Sequence, residues 1–352
     1  MDTPVLPSPV LVVDMAAFGT NVAAADRWCR GTPKRIRPHV KAHRTPALAL
    51  RQLTASTSGL TCATVGEAEV MVDAGASDVL VANEVVDRRK LDRLAGLARR
   101  ATVAVAVDAI EPALALGAAA RAAGSTVAAL VDLDVGLGRC GVPGPAEAVK
   151  LGAVAGQTAG LRLAGLMGYE GRQRAGEGRA AVIGRAYAML AEARQAFDRA
   201  GLPAGVVSSA GTSTLREALA DPVITEIQAG TYALMEADLG GLGLPFVPAL
   251  SVVATVISRA PDRAVLDAGR KSIAGDYGPP APLIPGAEVA GFNEEHTTLR
   301  FPDPARAPAL GDRVALRPAH ARLTFNLHDA VWLAHPDGSF ERAQVTARGR
   351  SW

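Results

Sequence analysis

A chain of 352 residues has room for one large α/β domain and a smaller one, and 49% apolar against 20% charged residues is a globular composition. A formal net charge of +2 gives no electrostatic reason to expect nucleic acid or a membrane surface as a partner. Three cysteines, Cys29, Cys62 and Cys140, lie far apart without a CxxC pair. That spacing argues against a disulfide framework or a cysteine-based zinc site and fits a reducing compartment. The opening MDTPVLPSP lacks the basic and apolar regions of a signal peptide, and the longest β-like apolar runs are too short to cross a bilayer, so a cytoplasmic location is expected.

In chain order, PVLVVDM (9–15) reads as a strand outside the regular part of the chain, so residues 1–14 are assigned to an N-terminal strand joining a later β domain. From about residue 35 to 231, β-branched runs alternate with Ala/Leu/Arg-rich helical stretches. Strands are expected at 35–41, 59–65, 78–83, 102–108, 126–134, 161–169, 204–211 and 224–230. Eight such units predict a (β/α)₈ barrel over 15–244, with an open doubly wound sheet as the competitor. The Gly/Pro-rich LGGLGLPFVP then reads as a linker, and β-like runs with few helical patterns predict a mostly β domain over 245–352.

In a barrel of this kind reactive side chains gather at the C-terminal strand ends. The first strand ends in RPHVKAHR, where His39, Lys41 and His43 share a face if the extended conformation persists. A lysine desolvated among other cations in a barrel mouth favours its neutral, nucleophilic form; a strand-end lysine that solvates a loop is the equal alternative. After the seventh and eighth strands come SSAGTSTL (208–215) and QAGTY (228–232), the two places where barrels recurrently hold phosphate. DLDVGLGRCG (132–141) contains a literal GxGxxG, but Pro143 and Pro145 intervene and no acidic residue stands at the right distance, which counts against a dinucleotide site and a dehydrogenase. Arg139 in that turn is placed to reach an anionic oxygen, or else is a surface arginine. Tyr169, in GLMGYEG, either contacts a planar cofactor or packs.

RPHVKAH, DVGLGRCG, GLMGYEG, SSAGTSTL, TEIQAGTYALMEAD, LDAGRKS, NEEH and PAHARLTFNLHD occur in one order over nearly the whole chain. Together they resemble the D-threonine aldolase / D-serine dehydratase family, pyridoxal-phosphate enzymes of the alanine-racemase-like fold. The resemblance implies that Lys41 carries the cofactor, with His39 and His43 in its pocket. Arg139 is implied near the ring oxygen and Tyr169 beside the ring; Gly211, Thr212, Gly230, Thr231 and Tyr232 are implied at the phosphate. It also implies a lyase acting on a small D-β-hydroxy amino acid, by retro-aldol cleavage or dehydration, and a homodimer. An amino-acid racemase and a non-catalytic cofactor-binding protein are the alternatives.

One motif departs from the family. There His-x-Cys or His-x-Asp binds a divalent metal, whereas this chain reads His320-Ala321-Arg322. On a strand Arg322 would point where the second ligand belongs, and a guanidinium cannot ligate a metal. The expectation is therefore no metal site, with His320 the one retained ligand and His320 and Arg322 acting on the substrate. Asp267, Lys271 and Asp276 are expected in a structural ion-pair network, and His328-Asp329 in a solvated turn.

Overall fold

The structure, a computed structural model, describes residues 6–352; the first five residues of the predicted N-terminal segment lie outside the described residues. Strand β1 (Val10–Asp14) leads into a helix over Met15–Cys29 that Asp14 caps, its carboxylate accepting from the amides of Ala16 and Ala17. Eight parallel strands come next, each delivered by a helix or a short helical turn. They are β2 (Arg35–Ile36), β3 (Leu60–Cys62), β4 (Asp78–Glu84), β5 (Thr102–Val107), β6 (Val127–Asp132), β7 (Leu161–Met167), β8 (Val206–Ser209) and β9 (Glu226–Ile227).

These strands run in the order β2-β9-β8-β7-β6-β5-β4-β3. The two ends of that order meet through single bridges, Ile36 to Thr57 and His39 to Thr61, which close the sheet into a barrel. The expected barrel is thus the observed fold, and the open doubly wound sheet is not. Inside, Leu80, Ala106, Leu130 and Met167 pack as an apolar layer. Towards the N-terminal ends of the strands, Arg37 donates to Glu226 (2.8 Å) and Asp78 (2.5 Å), and the hydroxyls of Ser58 and Ser208 also donate to Glu226. A buried guanidinium is tolerable there because two carboxylates and two hydroxyls satisfy the cluster.

The second sheet contains β10 (Leu250–Ala260), β11 (Arg263–Leu266), β12 (Ala281–Pro282), β13 (Glu288–Phe292), β14 (Thr297–Arg300), β15 (Arg313–Arg317), β16 (Ala330–Ala334) and β17 (Phe340–Gln344). Its order is β13-β14-β11-β10-β1-β16-β17, with β15 on β10 and β12 on β15. Strand β1 lies in its interior, antiparallel to β10 and parallel to β16, and Val10 to Val13 are buried. The barrel's first helix holds the connection between the two parts. Buried Asn21 donates to the carbonyls of Ala233 (3.0 Å) and Val247 (2.7 Å) and accepts from the amide of Val247 (2.8 Å).

Candidate active site

A cavity of about 210 Å³ opens at the C-terminal ends of the barrel strands. Four cationic side chains, Lys41, Arg139, Arg172 and Arg322, stand on its wall, and no aspartate or glutamate among the described residues does.

The chain reaches Lys41 through Pro38 and His39, still extended, with the His39 amide donating to the carbonyl of Ala229 (3.1 Å). It then tightens into a 3₁₀ turn over Val40–Ala42 rather than continuing as the expected strand. Period-2 alternation ends there, which separates the two histidines. His39 lines the cavity, with its Nδ1 buried and without a hydrogen-bond partner among the described residues. His43 turns away: it bonds Gln52 (2.8 Å), accepts from the Thr45 amide (3.1 Å) and packs edge-on to Phe325. The expectation that both histidines belong to the pocket is corrected by this turn.

Burial pushes the Lys41 ammonium down to about 8, and the charges of Arg322 and Arg139 push the same way. Buried Glu67 opposes them, held by the Ala63 amide (2.6 Å) and paired with Arg44 (3.5 Å). Tyr169 lies between two of the cations, its ring centre 5.9 Å from Lys41 Nζ and 5.8 Å from the Arg139 guanidinium. Burial raises the Tyr169 hydroxyl above its ordinary pKa, so it stays protonated.

The GxGxxG stretch proves to be a tight turn. Gly136, Gly138 and Gly141 have φ of 104°, 67° and 107°, and Asp134 accepts from the amides of Gly136 and Gly138 (both 3.0 Å). The chain folds back at once through the bridge between Leu133 and Val142, and the next helix begins only at Pro145. Arg139 sits at the tip of this turn, on the cavity wall.

On the same cavity, 3₁₀ turns begin after β8 (Thr212–Thr214) and β9 (Thr231–Ala233). Thr212 Oγ1 accepts from the amide of Tyr232 (2.9 Å) and so ties the two turns together. The amides of Thr212, Ser213, Gly230 and Thr231 donate to no protein acceptor among the described residues. Gly230 can only be glycine as the chain lies, since a Cβ there would stand 2.4 Å from the His39 carbonyl oxygen. Behind the first turn, buried Glu170 accepts from Ser209 (3.2 Å) and from Thr214, fixing the loop. Tyr232 contributes its amide alone. Its ring is fully buried against Phe246, 5.5 Å between centres, so its assignment to the phosphate is corrected to a packing role.

From the β domain, His320 and Arg322 come from the start of a helix over Ala321–Asn326, not from a strand, which corrects the expected shared face. His320 caps that helix off the cavity wall, with Nδ1 2.5 Å from Asp276 and its ring stacked on Tyr277 at 4.2 Å and 6°. Arg322 lies on the wall. Its Nε is 3.4 Å from Glu236, and it donates to the Tyr277 hydroxyl (3.3 Å). Glu236, fully buried, also pairs with Arg172 (2.7 Å) and accepts from the Ala321 amide (3.1 Å). The single ion-pair network expected of Asp267, Lys271 and Asp276 is absent. Asp267 bonds the Thr255 amide and Ser8, Lys271 pairs with Glu295 at the surface, and Asp276 serves His320. His328 is likewise no solvated turn residue: its Nε2 bonds the Ser272 carbonyl (2.8 Å).

The site therefore unites Lys41, His39, Arg139, Tyr169, Gly211, Thr212, Gly230, Thr231 and Arg322 around one cavity. Sequence reasoning missed Glu170 and Glu236. Both fell inside quoted motifs, but a carboxylate's role there depends on partners some 40 or more residues away, which no local pattern reports.

The two groups the resemblance implies fare differently. Free amides at two linked turns suit a phosphate, and a lysine of lowered pKa beside an enclosed tyrosine ring suits an aromatic aldehyde. Pyridoxal phosphate fits. A divalent metal at His320 does not, because the residue two positions on is a guanidinium and His320 Nδ1 is committed to Asp276.

Residues 13–238 match the family described as alanine racemase, N-terminal domain, and residues 249–334 match a serine dehydratase domain. The chain is 39% identical to a D-threonine aldolase of Arthrobacter sp., over 98% of this chain and 93% of that protein. It is 31% identical to a 3-hydroxy-D-aspartate aldolase of Paracoccus denitrificans, over 100% and 95%. Among solved structures, D-threonine aldolase from Filomicrobium marinum superposes with a TM-score of 0.94 at 38% identity, covering 99% of this chain and 97% of that one.

Proposed function

The chain belongs to the alanine racemase N-terminal-domain family, in the branch that carries a serine dehydratase domain, and from that premise we propose that it is a pyridoxal-phosphate-dependent lyase acting on a small D-β-hydroxy amino acid. The observation that carries the reading is one cavity lined both by a buried lysine of depressed pKa and by two linked turns with free amides. The named relatives, aldolases of D-threonine and 3-hydroxy-D-aspartate, support the substrate class.

Pyridoxal phosphate, when bound, supplies a ring that takes up the electrons released at the substrate's Cα. The protein's residues do the rest. The turns at Gly211–Thr212 and Gly230–Thr231 would hold the phosphate through amides and hydroxyls. Arg139 would meet the ring's anionic oxygen, and Tyr169 would flank the ring. Lys41 Nζ, half neutral near pH 8, can hold and return a proton at the substrate's Cα. His320, held off the cavity wall by Asp276 at Nδ1 and by the stacked Tyr277 ring, supports Arg322 through the Tyr277 hydroxyl rather than touching the substrate. The homodimer and the cytoplasmic location implied earlier belong to the same proposal. The family resemblance supports the first, and three free cysteines support the second. Among the described residues no helix is long and apolar enough to cross a membrane.

The test is the visible absorption spectrum of purified protein incubated with pyridoxal phosphate, before and after borohydride, beside Lys41→Ala. An absorption band that borohydride abolishes and Lys41→Ala lacks is expected. The loaded protein is then expected to release glycine and an aldehyde, or a keto acid and ammonia, from a D-β-hydroxy amino acid and not from its L form. A protein that stays colourless refutes the reading; α-deuterium exchange without either product set would make it a racemase.

A further inference from the structure

The cavity wall contributed by the β domain is built around a triad of charges. Glu236, buried and fixed by the Ala321 amide, stands between two guanidiniums, Arg172 at 2.7 Å and Arg322 at 3.4 Å. One carboxylate between two arginines leaves these three groups with a net single positive charge, and they lie where a cavity with no carboxylate of its own meets the second domain. Arg322 is held from both ends. Its guanidinium touches Glu236 and the Tyr277 hydroxyl, and its backbone carbonyl accepts from Arg44 (2.5 Å), three residues beyond Lys41. The same Tyr277 stacks on His320, so the histidine and the arginine are positioned as one unit.

A guanidinium is permanently charged and offers forked N–H donors to an oxygen, but has no lone pair to offer a metal. A divalent cation at His320 would therefore share its coordination space with a fixed positive charge on the residue two positions on. No group of three or more His, Cys, Asp or Glu side chains that could hold an ion occurs among the described residues.

We propose that Arg322 takes the place of a metal ion in this enzyme: its guanidinium, held by Glu236 and Tyr277, binds the oxygen on the substrate's β-carbon, and the lyase reaction requires no divalent cation at His320. This rests on the lyase reading above. It adds a substrate-binding residue and a cofactor requirement that differ from those implied by the family.

Two measurements on the cofactor-loaded protein test it. The first is Mn²⁺ titration followed by electron paramagnetic resonance, with elemental analysis of the protein as purified; it needs no turnover and so stands or falls apart from the lyase reading. Wild type is expected to bind no Mn²⁺ at 1:1 stoichiometry, whereas Arg322→Asp, which supplies a second carboxylate beside His320 and Glu236, is expected to bind one. The second is kcat/KM with and without EDTA. Wild type is expected to be unaffected by EDTA, and Arg322→Met to lose on the order of 100-fold, the scale of one oriented oxyanion donor. A tightly bound metal in wild type, or activity that EDTA abolishes and Mn²⁺ restores, overturns the proposal. Should Arg322→Asp fail to fold, wild-type metal binding and Arg322→Met still decide it. Retained kcat/KM in Arg322→Met, with normal cofactor absorbance, would overturn the binding role alone.

Discussion

Lys41 is lodged with its amine among cations, and the protein bears a cost for holding it there. Its pKa falls from 10.5 to about 8, so between those pH values the unfolded chain binds a proton that the folded chain does not. Stability of the cofactor-free protein therefore gains from Lys41 as pH rises through that window, and below about pH 8 the full penalty applies. At ~1.4 kcal/mol per pKa unit the penalty is up to about 3 kcal/mol. Cofactor-free Lys41→Met is accordingly expected to be more stable than wild type at pH 7 by up to that amount, with the gap closing towards pH 10.5. Urea denaturation of both proteins at pH values below and above the window checks this, and a gap independent of pH would mean that the amine is well solvated. His39 shares the environment: burial, then Lys41 and Arg322, hold its pKa well below the ordinary value, so it stays neutral. Its Nδ1 is a buried polar atom without a hydrogen-bond partner among the described residues.

The two 3₁₀ turns after β8 and β9 act together because Thr212 joins them, and Gly230 lets the second lie against the Lys41 segment. Gly230→Ala puts a methyl group 2.4 Å from the His39 carbonyl, against backbone that cannot swing aside. The expected result is a loss of about 1–3 kcal/mol in stability, typical of overpacking. A loss of at least about tenfold in pyridoxal-phosphate affinity should accompany it, since each factor of ten is ~1.4 kcal/mol; a fluorescence titration of the cofactor reads this. Elements of this kind also mark where the sequence was legible. The long strands β4 to β7 were readable because runs such as TVAVAV are apolar and β-branched between turn signals. Strands β2 and β9 are two residues each, and their boundaries rest on partners across the closure of the barrel rather than on pattern. The turn at Lys41 and the helix beginning after His320 both replaced expected strands. Each begins within three residues of a proline, Pro38 and Pro318, which interrupts the run of backbone donors without specifying the element that follows. That the glycine and threonine positions after β8 and β9 would line the cavity was legible because strand-end loops of a barrel face its mouth. The positions of Glu170 and Glu236 were not, since burial of a carboxylate is decided by distant arginines, amides and hydroxyls.

At the scale of the whole molecule, the site is complete only when barrel and β domain meet, since Lys41 comes from one and Arg322 from the other. Asn21 fixes the connecting segment with three hydrogen bonds while itself fully buried. Asn21→Ala leaves two carbonyls and an amide without their partner, and is expected to cost about 2–4 kcal/mol. Thermal denaturation with the cofactor's absorbance as a second probe checks it. Coincident transitions lowered together would show that the segment couples the two parts, and an unchanged midpoint would show that it does not.

The position of β1 carries a further consequence, for the chain while it is being made. Residues 10–14 emerge before every other described strand, yet their two neighbours in the sheet are β10 and β16, and the second of these ends at Ala334. At about 5–20 residues per second, a ribosome needs on the order of tens of seconds to synthesise the intervening chain. Until β10 is made VLVV is an apolar strand with both edges unsatisfied, and until β16 is made it keeps one open edge, the kind of segment that pairs with the wrong partner. The barrel has all its strands in hand well before then. The first described strand is thus among the last to find its place, and a polypeptide released before residue 334 would carry an open edge that the finished enzyme never shows.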